Sequence, residues 1–195
     1  MAKLTFRYGT VASGKSLDLL KVAYNYEENG MKTLILTSKI DDRYGSDLVK
    51  SRTGVQRDAI GLDKNDNIVE IVEYKKSVMG EKLGCILVDE VQFLSKEQIY
   101  QLADVVDKLD IPVIAYGLRG DFKMESFEST SILMTIADNM EEVKTICSHC
   151  GQKKATISAR YVNGKVQNKG KQIEIGGNEK YKPLCRKCWK ELVSK

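Results

Sequence analysis

Residues Gly9-Thr10-Val11-Ala12-Ser13-Gly14-Lys15-Ser16 satisfy G-x-x-x-x-G-K-[ST], the phosphate-binding P-loop, at every fixed position. The motif works only as a turn between a strand and a helix, so it constrains the fold on both sides. Leu4-Thr5-Phe6-Arg7-Tyr8 alternates as a short strand, and Leu17-Asp18-Leu19-Leu20-Lys21-Val22-Ala23 reads as the opening turns of a helix. Gly9 and Gly14 allow the backbone to curl so that successive N–H groups converge on anionic oxygens. The helix that follows adds free N–H groups and the positive end of its dipole. Lys15 is expected to reach the β- and γ-phosphates and the Ser16 hydroxyl to take a place on Mg²⁺.

The first helix is expected from Ser16 to about Asn29, closing at Gly30, with Thr33–Thr37 as the next strand. Residues 39–66 are polar, with Asp41-Asp42-Arg43-Tyr44-Gly45 and Ser51-Arg52-Thr53-Gly54 standing out, and read as active-site loop with little regular structure. Ile68–Val72 fits a strand or a helix start. Cys85–Asp89 reads as a buried parallel strand. Ser95 with Gln98 resembles a capping box, and Ile99, Leu102, Val105, Val106 and Leu109 keep helical spacing. Ile111–Leu118 is a strand, Ser131–Asp138 a helix and Glu142–Ile146 a last strand. Alternating strands and helices through residue 146 imply an α/β fold: a parallel sheet of P-loop NTPase type flanked by helices. From Cys147 the composition shifts, so residues 1–146 are expected to form the nucleotide domain and residues 147–195 a small zinc-ribbon-like domain.

The apolar strand Ile86-Leu87-Val88 ends in Asp89-Glu90, the form of a Walker B element. At a strand's carboxyl end Asp89 would share a crevice with the P-loop and hold Mg²⁺ beside Ser16. Glu90 is then positioned as a general base. Together the motifs imply an enzyme acting on Mg-nucleotide, and leave open whether water or a substrate hydroxyl attacks.

Four of the five cysteines form the pairs Cys147-x-x-Cys150 and Cys185-x-x-Cys188. This spacing suits four thiolates around a structural Zn²⁺, with residues 151–184 as an inserted hairpin or loop. A redox role is disfavoured because neither pair opens a helix in a thioredoxin-like unit. His149, the chain's single histidine, reads as a polar turn residue, and Trp189 is expected to pack against the small lobe. Cys85 reads as a small buried residue.

With 31 Lys+Arg against 27 Asp+Glu, interspersed along the chain, no basic stripe marks a nucleic-acid partner. No apolar run approaches the roughly 20 residues of a membrane span. Met1-Ala2-Lys3-Leu4 enters a strand at once, leaving no room for a signal peptide, so a cytoplasmic protein is expected.

In this order the P-loop, Asp89-Glu90-Val91-Gln92-Phe93, Gly117-Leu118 with Asp121-Phe122, and Ile175-Gly176-Gly177-Asn178-Glu179-Lys180-Tyr181 leading into Cys185-Arg186-Lys187-Cys188 resemble the zinc-containing, cellular-type thymidine kinases. The resemblance implies transfer of the γ-phosphoryl of ATP to the 5′-hydroxyl of thymidine, with Glu90 accepting the hydroxyl proton. It places Gln92 near both nucleotide and nucleoside, and Leu118, Phe122 and Phe127 around the thymine. It implies a substrate-enclosing loop, or lasso, from about Asn163 to Tyr181, in which Ile173, Ile175, Gly176 and Tyr181 meet the nucleoside. It further implies a homotetramer and feedback inhibition by thymidine triphosphate. Arg52 is a possible phosphate contact by the same resemblance.

Three departures fall on the nucleoside side. Val11-Ala12 replaces the usual Met-Phe, Arg119 follows Gly117-Leu118 where Asp is usual, and Ser126-Phe127-Glu128 replaces Pro-Phe-Gly. The competing expectation is a nucleic-acid-stimulated ATPase with a zinc ribbon; it calls for a basic, aromatic-studded groove that this sequence does not present.

Overall fold

The computed structural model describes residues 1–41, 45, 47–177 and 179–194. Asp42, Arg43 and Tyr44 of the polar loop and Asn178 of the C-terminal motif lie outside the described residues. In chain order the elements are β1 Leu4–Gly9, α1 Lys15–Glu28, β2 Lys32–Ser38, β3 Leu48–Lys50, β4 Gln56–Asp58, β5 Ile60–Leu62, α2 Ile68–Met79 and β6 Leu83–Val88. There follow α3 Lys96–Leu109, β7 Val113–Leu118, α4 Glu128–Ile136, β8 Asn139–Glu142, β9 Ile157–Val162, β10 Lys165–Val166, β11 Tyr181–Leu184 and α5 Arg186–Val193.

The central sheet has six strands in the order β5-β2-β6-β7-β1-β8, and the pairings are parallel. Strand alternation sorts its side chains to two covered faces. Ile35, Cys85, Leu87 and Tyr116 meet Leu19, Leu20 and Ala23 of α1. Leu34, Leu36, Ile86 and Val88 meet Ile68 and Val72 of α2, Ile99 and Leu102 of α3, and Leu133 of α4. Each such fully buried side chain contributes about 1.5–3 kcal/mol.

The ambiguous Ile68–Val72 opens α2, because the Asn67 side chain accepts from the Val69 amide at 3.1 Å and caps it. The Ser95–Gln98 capping box of α3 forms in both directions. Two expectations are corrected. Residues 39–66 are not a featureless loop: β3 and β4 pair as a hairpin, and β5 is an edge strand of the main sheet. These strands are three residues long, too short for a period to stand out among polar neighbours. The last strand of the sheet is Asn139–Glu142 rather than Glu142–Ile146. β8 lies at the sheet edge with Asn139, Met140 and Glu141 exposed, so backbone pairing with β1 rather than an apolar run defines it, and apolar Val143 and Ile146 follow it.

β10, β9 and β11 form a separate antiparallel sheet. Ile157 and Ala159 of β9, Leu184 and Trp189 pack with Cys147, Cys185 and Cys188 into a small core. Ser158 and Arg160 alternate with those residues and are buried as well, 2% exposed each. Among the described residues no helix is long and apolar enough to cross a membrane.

Candidate functional site

The P-loop runs from the end of β1 into α1, with Gly14 at the helix N-cap in the left-handed region (φ 89°). Gly9 is required by space: a Cβ there would lie 2.5 Å from the Val143 carbonyl oxygen and 2.6 Å from Ser13 Oγ. Ala12 holds φ 59° without being glycine, a local strain of the kind that clusters at ligand-binding turns. Lys15 is buried, and its Nζ donates to the Thr10 carbonyl at 2.9 Å across the loop. The hydroxyl oxygens of Thr10 and Ser13 are buried without protein partners. A polar ligand lying in the loop would satisfy both.

Ser16 Oγ donates to Asp89 Oδ2 at 2.7 Å, joining the P-loop to the end of β6. Asp89 is 4% exposed, and burial, then the neighbouring Glu90 carboxylate, push its carboxyl well above the usual range. A cation between Ser16 and Asp89 would favour the ionised form, so the donor set fits Mg²⁺.

After β6 the chain turns sharply. Glu90 adopts φ 50°, and Val91–Phe93 form a 3₁₀ turn. Gln92 Nε2 donates to Glu90 Oε2, while Gln92 Oε1 accepts from the Leu118 amide at 3.0 Å. A Cβ on Gly117 would lie 2.6 Å from Val91 Cγ1 and 3.0 Å from Gln92 Oε1, so that glycine lets the turn close on β7.

A cavity of about 280 Å³ opens in front of these groups. Val11, Ala12, Gly14, Lys15, Ser16, Glu90 and Gln92 are among its lining. Leu118, Phe122, Phe127, Ile173, Ile175, Gly176 and Tyr181 line it too, so the expected nucleoside residues meet in one place. Phe93 and Phe127 meet edge to face, with centroids 6.5 Å apart and an interplanar angle of 80°. Arg52 reaches the rim with Lys50, Ser51 and Thr53 of the β3–β4 hairpin. Gly9, Thr10, Ser13 and Asp89 are not among the lining residues. Of the departures, Val11-Ala12 and Phe127 face the cavity, whereas Arg119 and Ser126 line a different cleft beside Lys153 and Arg186.

Several residues at this site make contacts that no motif assigned to them. Ser158 Oγ accepts from the Val11 amide at 3.1 Å. Asp121 is 3% exposed; its Oδ1 accepts the Lys123 and Glu125 amides at 2.8 and 2.9 Å, and its Oδ2 accepts from Gln172 Nε2 at 3.2 Å. The Arg160 guanidinium lies 3.8 Å from the centroid of the Phe122 ring. For Ser158 and Arg160 the available signal is period two along Ile157–Arg160, which puts both on the strand face opposite Ile157 and Ala159.

In the C-terminal part of the chain, the Sγ atoms of Cys147, Cys150, Cys185 and Cys188 all lie within 4.8 Å of one another, a cluster positioned to hold a metal ion. The donor chemistry fits. Amides of Gln152 and Lys153 pull the Cys150 thiol down to about 6, whereas burial and the other three thiols push Cys188 up to about 12. Four such sulfurs together as thiolates need a cation. His149 is not part of the cluster.

A family model described as thymidine kinase matches residues 2–189. The thymidine kinase of Francisella tularensis subsp. holarctica is 50% identical over 199 residues, spanning 99% of this chain and 99% of its own. That of Mannheimia succiniciproducens is 49% identical over 195 residues, covering 100% and 98%. That of Lactococcus lactis subsp. lactis is 46% identical over 187 residues, covering 96% of each chain.

Proposed function

The chain belongs to the thymidine kinase family, and on that premise we propose that it transfers the γ-phosphoryl group of ATP to the 5′-hydroxyl of thymidine, giving thymidine monophosphate and ADP. The observation that carries this reading is that Lys15, Ser16 and Glu90 line the same cavity as Leu118, Phe122 and Tyr181. A phosphate-binding end and an apolar, aromatic end share it, as joining a nucleotide to a nucleoside requires.

In this reading the P-loop amides and Lys15 bind the β- and γ-phosphates. Ser16 and Asp89 would hold Mg²⁺, which would neutralise charge on the phosphate oxygens. The nucleoside stands with its base between Phe122, Phe127 and Leu118, which places its 5′-oxygen toward Glu90. Glu90 accepts the hydroxyl proton as that oxygen bonds to the γ-phosphorus and the bond to the β-phosphate oxygen breaks. The loop carrying Ile173, Ile175 and Gly176 covers the base and keeps water, the competing acceptor, away. Residues 147–195 act as a lobe braced by Zn²⁺ on the four cysteines, which fixes both ends of that loop and reduces the entropy lost on closure. A homotetramer and inhibition by thymidine triphosphate belong to the same reading.

The test incubates the protein with ATP, Mg²⁺ and individual nucleosides. Monophosphate is expected from thymidine. No product from thymidine, with ATP hydrolysis rising on added single-stranded DNA, would overturn the reading.

A further inference from the structure

Arg160 sits in the middle of β9 with its side chain 2% exposed. A buried guanidinium is costly unless its donors are met and its charge is balanced. Here Nε donates to the Tyr181 hydroxyl at 2.9 Å and an Nη donates to the Gln172 carbonyl at 3.2 Å. The other Nη pairs with the Glu174 carboxylate at 3.1 Å. The flat face of the group lies 3.8 Å from the centre of the Phe122 ring. The Tyr181 hydroxyl in turn donates to the Glu174 carbonyl at 2.7 Å. Gly170, at φ 125°, lets the chain pass over this fork: a Cβ there would lie 3.4 Å from an Arg160 Nη and 3.9 Å from the edge of Phe122.

Gln172, Glu174, Tyr181 and Phe122 all line the cavity, yet Arg160 does not. One residue behind the wall therefore joins the covering loop, the strand that ends it and the aromatic floor. We propose that Arg160 is the positioning residue that holds residues 167–177 closed over the nucleoside end of the cavity and fixes the Phe122 ring beneath it. The proposal rests on reading that end as the thymidine site. A planar fork is needed because its three donor directions are each used on a different partner; lysine would carry the charge without the geometry.

Arg160→Lys is therefore expected to raise the thymidine KM about tenfold or more and lower kcat, while the ATP KM stays within about twofold. Hydrogen exchange across residues 167–177 should lose its thymidine-dependent slowing. Glu174→Gln, a change at a half-exposed carboxylate, should raise the thymidine KM by a smaller factor without unfolding the protein. Equal shifts of both KM values in Arg160→Lys would overturn the proposal, as would an unchanged thymidine KM. If Arg160→Lys does not fold, an unchanged thymidine KM and unchanged loop exchange in Glu174→Gln would overturn it. Wild-type protein that fails to phosphorylate thymidine would instead refute the underlying reading of the site.

Discussion

Gln92 grips Glu90: its Nε2 donates to the Glu90 carboxylate while its Oε1 accepts the Leu118 amide at 3.0 Å. One amide side chain thus ties the carboxylate at the end of β6 to the backbone of β7, two strands that are already neighbours. The carboxylate proposed above as the base therefore has its rotamer fixed before substrate arrives. Glu90→Gln removes the proton acceptor but keeps the shape. It should lower kcat by about 10²–10⁴-fold and leave the ATP KM within about twofold. Steady-state kinetics checks this, and equal losses in turnover and ATP affinity would contradict the role of Glu90.

Gly117 faces the same turn. Its added Cβ would meet Val91 Cγ1 at 2.6 Å and Gln92 Oε1 at 3.0 Å. Val91 belongs to the fully buried core, so it has little room to retreat. Gly117→Ala should destabilise the protein by about 1–3 kcal/mol. It should also lower kcat, because the contact pushes on the residue that orients Glu90. Urea unfolding and kinetics on the same sample check both; a stable variant with wild-type turnover would contradict the packing argument.

The parts of this molecule legible in its sequence are those written locally. The P-loop is a contiguous string, and β2, β6 and β7 are continuous apolar runs because both of their faces are covered. The cysteine pairs declare a metal cluster through spacing alone. The hairpin β3–β4 and the edge strand β5 were hidden because three residues cannot display a period. Arg160 and Ser158 were hidden for a different reason. In Ile157-Ser158-Ala159-Arg160 the polar residues alternate as on a solvent-facing strand, and partners remote in sequence meet them instead: the Val11 amide at Ser158, and Phe122, Gln172, Glu174 and Tyr181 at Arg160. Phe122 shows a mixed case: the family resemblance implied a place for it beside the nucleoside, while the cation stacked on it is set by tertiary contact.

Cys85 lies in the core of β6 with no exposed surface, and burial pushes its thiol up to about 12. Tyr26 beside it is also pushed up to about 12, by burial and by Cys85. The folded pKa of Cys85 exceeds its unfolded value, so its stabilising contribution is complete below about pH 9 and is lost as pH rises toward 12. Folding stability should fall by roughly 1.4 kcal/mol per pH unit from this group within that window. Urea midpoints measured between about pH 8 and 11 should drop less steeply in Cys85→Ala than in the wild type. Parallel slopes would show that Cys85 does not titrate on unfolding.

Cys147 and Cys150 precede the covering loop, and Cys185 and Cys188 follow it, so one metal ion held by all four would close the chain between residues 151 and 184 into a loop. The small core around Trp189 includes three of those cysteines, and without the cation their thiols share a confined space. Removing the metal should therefore loosen the lobe while leaving β1, α1 and the phosphate end of the cavity in place. A chelator should lower Tm by at least about 5 °C. Thymidine phosphorylation should be lost with it, while ATP binding stays within about threefold of the loaded protein. Adding back zinc should restore both Tm and turnover. Calorimetry with paired nucleotide-binding and turnover measurements checks the sequence of losses. Activity that survives complete metal removal would show that the four cysteines do not brace the loop.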